Sequence, residues 1–205
     1  WYNTTSQTLK VAPLISAWSS GGNLTTGRKN FAGCGPQTAG LVFGGNTGAP
    51  IKDETESYDG TSWTEVGDIN NARYGVGGHG TQTAALCSGG SPGGNQSPPG
   101  HSEEFDGSSW TEGSNINNHR MSASGCGTQT AGLIAGGYQN PPSGNTDYVE
   151  TYDGSSWTET TDLPSARSVA MLVGTQTAAL CVAGGGSPSY LTDVQSWDGS
   201  SWTEV

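Results

Sequence analysis

The sequence predicts an all-β fold built from a repeated four-stranded unit. Three observations carry that expectation. A tryptophan recurs every 45 to 47 residues, short apolar runs such as LVFGG, AALC and GLIAGG are bounded by Gly, Ser and Thr, and no apolar period of 3.6 is sustained.

The repeat is read from its fixed spacings. Trp18, Trp63, Trp110, Trp157 and Trp202 mark it, and each of the first four is followed at six residues by Leu24, Ile69, Ile116 or Leu163. At ten residues stand Arg28, Arg73, Arg120 and Arg167, and nine further on Gln37, Gln82, Gln129 and Gln176. Then come Thr-Ala, an apolar stretch and a Gly pair, and an aromatic (Tyr58, Phe105, Tyr152, Trp197) five residues before the next Trp. All length variation lies between Gly45, Gly90, Gly137 or Gly184 and that aromatic, with gaps of 13, 15, 15 and 13 residues. A rigid frame with one variable segment is the mark of a scaffold with one insertion-tolerant loop.

Each unit parses into strands A to D. Strand A follows the arginine, around Arg73 to His79 in the second unit, and a Gly-Thr-Gln-Thr turn leads to strand B, Ala84 to Ser88. The variable loop leads to strand C, which ends at the aromatic. An Asp-Gly turn, a hairpin signal, leads to strand D with Trp-Thr-Glu. The units span about 28–66, 73–113, 120–160 and 167–205, preceded by a connector or partial unit at 1–17. A four-stranded sheet cannot bury both faces alone, so neighbours must stack. One indole per unit buries ~150–250 Å², worth roughly 4–6 kcal/mol gross as an upper bound.

Composition excludes several classes. The 205 residues carry 18 acidic and seven Lys or Arg side chains, a formal charge of −11, which repels phosphate backbones and disfavours nucleic acid. No run of about 18 apolar residues offers a membrane span. Seven Trp and seven Tyr argue against disorder despite 34 Gly. Four Cys without CxxC spacing form neither a disulfide framework nor a zinc site, and His79, His101 and His119 share no ligand spacing, so no metal and no cofactor is expected.

An apolar run, a Gly pair, a Tyr, a Trp and then Ala-Arg is similar to the kelch repeat, over residues 18–205. Tyr and Trp are separated here by four residues, fewer than is usual in kelch units, so the C–D turn is tighter. The resemblance implies a kelch-like β-propeller of four complete four-stranded blades plus an N-terminal hairpin. Such rings usually have six or seven blades, which leaves three closures: four blades alone, a partial fifth blade from residues 1–20, or a chain continuing past Val205. Trp18, a strand D tryptophan without strands A to C, favours the partial blade. The variant with Gly-Thr-Gln-Thr-Ala and Tyr-Asp-Gly-Ser-Ser-Trp-Thr-Glu resembles repeats of bacteriophage and marine bacterial surface proteins. The opening WYNTTSQTLKV resembles hairpins that precede C-terminal modules of tail-fibre proteins.

Chemistry-bearing residues are weighed against structural use. Eleven of the 18 acidic residues occupy repeat positions: the turn Asp, the Glu after Trp-Thr, and Glu56, Glu103 and Glu150 before the strand C aromatic. They are expected to serve turns, edges and arginine pairing. The four arginines would ring the mouth of a central channel as an anion site, or, as one per unit at identical spacing favours, pair with repeat Glu and carbonyls. The turn string resembles the Asp-box of sialidases, one residue short, but no non-repeated Arg, Tyr and acid set accompanies it. Cys34 and Cys126 share a strand A position, and Cys87 and Cys181 a strand B position. They are expected as free thiols, with Cys126 near Cys87 and Cys34 near Cys181.

Strand alternation puts the B–C and D–A connections on one face. That face collects Tyr138, Tyr190, His101, Asn140, Asn145 and the D–A residues Asp68, Asn70, Asn117 and Asp162. Exposed Tyr among Asn and Asp suits sugar, the ring stacking on a pyranose and the amides bonding hydroxyls. The expected function is a non-enzymatic virion or cell-surface module, such as part of a tail fibre, binding a glycan or protein on a host surface through that face. The alternatives are an architectural unit packing on other virion or extracellular subunits or on copies of itself, and a glycosidase-like enzyme.

Overall fold

The computed structural model describes residues 2–3, 8–9, 21–93, 99–186 and 189–205, and these are all-β. Tyr2–Asn3 (β1) and Thr8–Leu9 (β2) pair as an antiparallel two-stranded sheet of their own. Trp18 lies outside the described residues, and so does the assignment of residues 1–20 to a partial blade.

Each of the four units forms its own antiparallel sheet, with strands in chain order. The first holds Ala32–Cys34 (β3), Gly40–Phe43 (β4), Thr55–Tyr58 (β5) and Trp63–Val66 (β6). The second holds Gly77–Thr81 (β7), Ala84–Ser88 (β8), Ser102–Phe105 (β9) and Trp110–Glu112 (β10). In the third, Ser124–Thr128 (β11) and Ala131–Ala135 (β12) are separated from Val149–Tyr152 (β15) and Trp157–Glu159 (β16) by a small hairpin of Tyr138–Gln139 (β13) and Gly144–Asn145 (β14). The fourth holds Met171–Thr175 (β17), Ala178–Gly185 (β18), Tyr190–Trp197 (β19) and Trp202–Glu204 (β20).

The C–D turns explain the Asp-Gly string. Asp106 Oδ1 accepts from the N–H groups of Ser108 and Ser109, both at 2.8 Å, and the same bonds recur at Asp59, Asp153 and Asp198. The glycine that follows each Asp takes a left-handed φ of 94° to 99°, which its lack of a Cβ permits.

Strand A begins later than the sequence suggests, at Gly77 rather than near Arg73. The residue two after each arginine is left-handed: Asn30, Gly75, Ser122 and Val169 have φ between 54° and 64°. A strand cannot run straight through that conformation. These four residues instead link the sheets. Gly75 N–H donates to Asn30 O at 2.8 Å, Ser122 N–H to Gly75 O at 2.6 Å, and Val169 N–H to Ser122 O at 2.9 Å.

The sheets stack in sequence order. The first strands of the four sheets, β3, β7, β11 and β17, pack one on the next, and among the described residues no comparable packing joins β17 back to β3. Leu41 and Phe43 of the first sheet share a core with Ala85, Cys87, Phe105 and Trp110 of the second. Leu86 meets Ile134, Tyr152 and Trp157 of the third, and Leu133 meets Leu172, Cys181 and Trp197 of the fourth. The indoles act as wedges at these junctions. Trp110 stacks edge-on to Phe43 at 4.8 Å and donates its Nε1–H to Thr55 Oγ1, and Trp157 lies 5.9 Å from His79 and donates to Ser102 Oγ. Trp63, in the first of the four described sheets, is only half-buried.

The four cysteines are free thiols. The neighbours expected from the sequence are not the ones found: Cys34 packs against Cys87, and Cys126 against Cys181. The strand A cysteine faces the following sheet and the strand B cysteine the preceding one, which reverses the assumed direction of pairing.

Candidate functional site

The arginines form no ring of free charge. Arg73, Arg120 and Arg167 are fully buried, and each guanidinium is paired with an acid on strand C of its own sheet. Arg28 pairs with Glu56, Arg73 with Glu103 at 2.9 Å, Arg120 with Glu150 at 2.5 Å and Arg167 with Asp193 at 2.7 Å. In the fourth sheet Gln195 occupies the Glu position, donates to Asp193, and leaves the charge to that residue. A paired guanidinium at zero exposure offers nothing to a dissolved anion. The pairs anchor the D–A loops instead, because Glu103 Oε2 accepts from Asn70 N–H and Nδ2, and Glu150 Oε2 from Asn117 N–H and Nδ2.

The predicted ligand-binding residues therefore divide. Asn70 and Asn117 also donate Nδ2 to the carbonyls of Trp110 and Trp157, so both amides are committed to the frame. Asp68 and Asp162 accept from the first strand C amides, Thr55 N–H and Val149 N–H, at 3.2 Å. Asn145 pairs with Tyr138 in the β13–β14 hairpin and donates Nδ2 to Gly185 O of the fourth sheet at 2.7 Å. Asn140, at the tip of the same hairpin, accepts from Ser143 Oγ. Tyr138 is half-buried, while Tyr190 at the start of β19 is 88% exposed. His101 is half-buried, with Nδ1 3.7 Å from Glu112 Oε1.

Hollows open among the described residues of the four units. One, of about 500 Å³, runs along β3, β7, β11 and β17 and is lined by Phe31, Val76, Val169, Met171 and Val173, with no charged residue among its lining. A second, about 320 Å³, lies between Asn46, Pro50 and Ile51 of the first B–C loop and Tyr74 of the second unit. A third, about 350 Å³, brings together Asn70, Asn71, Arg73, Pro92, Pro99 and His101. Asn70 and His101 are thus the two predicted residues that share a hollow.

Sequence reasoning missed one role. Gln82 Nε2 donates to the carbonyls of Gly40 and Tyr58, Gln129 to Ala85 and Phe105, and Gln176 to Gly132 and Tyr152. Each glutamine staples its sheet to the one before, and its invariant place nine residues after the arginine was the available signal. Among the described residues no group of three or more His, Cys, Asp or Glu is placed to hold a metal ion, and no helix is long and apolar enough to cross a membrane. No known family model and no curated protein matches the chain.

Proposed function

We propose that the chain is a kelch-like propeller array acting as a non-catalytic attachment module on a virion or cell surface, recognising host glycan through its B–C and D–A loop face. The single observation that carries this reading is the division of labour in the repeat. An Arg paired with a strand C acid, the turn Asp and the strand D Trp are consumed in a frame that recurs in all four units, and a Gln staple in three, while length variation is confined to the B–C loops of one face. Such a frame presents variable loops from rigid sheets, as binding scaffolds do. Tyr190, exposed beside the Asn-bearing β13–β14 hairpin, supplies the aromatic platform a sugar ring needs. Sheets that stack through their first strands support a radial arrangement about an axis, with residues 1–20 as the candidate for a further position. A glycan array probed with the chain and with Tyr190→Ala and Asn140→Ala variants tests it. Binding that the loop variants weaken supports the reading, and absence of binding to any glycan sinks it.

An architectural reading has its own support. The outer face of the fourth sheet leaves Val169 76% and Met171 63% exposed, with Val173 and Leu180 beside them. Apolar area of that kind suits a protein neighbour. Loop variants that abolish incorporation into a larger particle while leaving glycan binding untouched would favour this alternative.

A further inference from the structure

Each of the first three sheets turns one face toward the sheet after it, with a leucine on strand B at the contact. Leu41, Leu86 and Leu133 have no exposed surface, because the following sheet covers them. The same face of the fourth sheet is open. Leu180, at the matching position, is 39% exposed, and Met171 and Val173 beside it are exposed as well. Cross-strand partners share a face, so the register maps it. Met171, Val182 and Val194 form one row, and Val173, Leu180 and Ser196 the next. Val205, 73% exposed, donates its N–H to Val194 O and extends the first row. Both rows are uncharged, in a chain of formal charge −11. Monomeric proteins rarely expose a contiguous apolar face of this kind.

A further unit of the repeat does not fit this face in the register seen at the three junctions. There the arginine carbonyl of the next unit sits over a glycine. A Cβ on Gly44, Gly89 or Gly136 would lie 2.7, 2.7 or 2.5 Å from that oxygen. The fourth sheet has Ala183 at this position, with a left-handed φ of 53°, so its methyl stands where the oxygen would enter. We propose that the face is covered instead by the same face of a second copy, two fourth sheets packing face to face about a two-fold axis. Apolar rows then meet apolar rows, no charge from either row leaves water, and no arginine carbonyl approaches Ala183. A two-fold contact uses the same patch on both partners, so the assembly closes at a dimer. The inference rests on the architectural reading above and names its partner.

Sedimentation velocity of the whole chain across micromolar concentrations tests it. The expected result is a monomer–dimer equilibrium with no larger species. Met171→Glu and Val173→Glu should each weaken the dimer by more than about tenfold. Val205→Glu, on an exposed side chain outside the core, carries the same expectation should either of those variants fail to fold by circular dichroism. Gln37→Ala should leave the dimer unchanged. Gln37 is exposed at the staple position of the first sheet, which a head-to-tail contact between copies would use and a two-fold contact would not. Species larger than a dimer, or association lost in Gln37→Ala, overturns the two-fold pairing in favour of head-to-tail packing. A monomer at every concentration, or a dimer that folded face variants leave intact, overturns the second copy as the occupant of this face. Incorporation into a larger particle then decides the wider architectural reading separately.

Discussion

Arg120 donates its Nη1–H to Glu150 Oε1 at 2.5 Å in the middle of the third unit, where neither side chain has any exposed surface. Glu150 also accepts from Asn117 and Asn118, so one carboxylate ties strand C to the D–A loop and to the arginine. Breaking such a buried pair leaves a charge without a partner in a medium that cannot solvate it. Glu150→Gln is expected to cost about 3–5 kcal/mol, a large fraction of the stability of a domain this size. Asp193→Asn in the fourth unit should cost less, about 1 kcal/mol, because Asp193 is partly exposed and water screens the loss. Urea unfolding of the two variants beside the parent measures both, and equal losses would refute the ranking.

Ala183 gives a second prediction. It stands where Gly44, Gly89 and Gly136 stand in the other units, and like them is left-handed, with φ of 53° against 64° to 66°. In those units a Cβ would lie 2.5 to 2.7 Å from the carbonyl of the next unit's arginine. Among the described residues no arginine carbonyl of a further unit stands over Ala183, so the methyl is tolerated and only the backbone strain remains. Ala183→Gly should therefore stabilise by about 0.5–1 kcal/mol. Gly136→Ala should destabilise by more than that, about 2 kcal/mol or greater, since strain and collision with Arg167 O add. Denaturation midpoints that move the same way for both substitutions would contradict this account.

The sequence carried the period, the four-stranded unit, the Asp-Gly turns and the arginine–glutamate pairing, because each depends on residue type at fixed spacing. What it did not carry depends on direction. Cys34 meets Cys87 only because strand A faces forward and strand B backward, and spacing is silent on which way a sheet's faces point. The left-handed residues Asn30, Ser122 and Val169 have no shared chemistry to betray them, and they set where strand A starts. The candidate site was legible as a face and less so residue by residue. Asn70 and Asn117 look like free amides in the sequence, yet their carboxylate partners stand some thirty residues away and meet them only in the folded sheet.

The thiols supply a third expectation. Burial, with a smaller contribution from the neighbouring cysteine, pushes Cys34 and Cys126 up to about 12, and burial also raises Cys87 and Cys181. The reactive species is the thiolate. Native protein should therefore resist iodoacetamide at pH 8, although Cys34 is partly exposed, and all four thiols should label within minutes once urea unfolds the chain. Mass spectrometry of the labelled protein reads this directly, and rapid native labelling of Cys34 would show that the first junction opens.

His79 makes the fold sensitive to mild acid. It fills the strand A position held by Cys34 and Cys126, with Nδ1 2.9 Å from Cys126 O and Nε2 2.9 Å from Ser88 Oγ. The carbonyl requires a proton on Nδ1, which leaves Nε2 to accept from the serine, so the neutral ring satisfies both contacts. A Cβ on Gly125 would lie 2.5 Å from the ring, so the third sheet leaves no room for it to move. Burial lowers the imidazole to about 4, and the bond to Cys126 only partly opposes this. In the unfolded chain the ring titrates near 6.5. Between those values the unfolded state binds the proton and the folded state does not, so stability is full above about pH 6.5 and falls as pH drops toward 4. The loss amounts to about 3 kcal/mol. The turn carboxylates Asp106, Asp153 and Asp198, held at about 2 by backbone and hydroxyl donors, contribute only to a separate loss below pH 4. Urea unfolding at pH 7.5, 5.5 and 4.5 should trace the first window, and His79→Cys, the residue used by the neighbouring units, should flatten it while lowering stability at pH 7.5. A slope between pH 6.5 and 4 that survives in His79→Cys would assign the acid response to some other group.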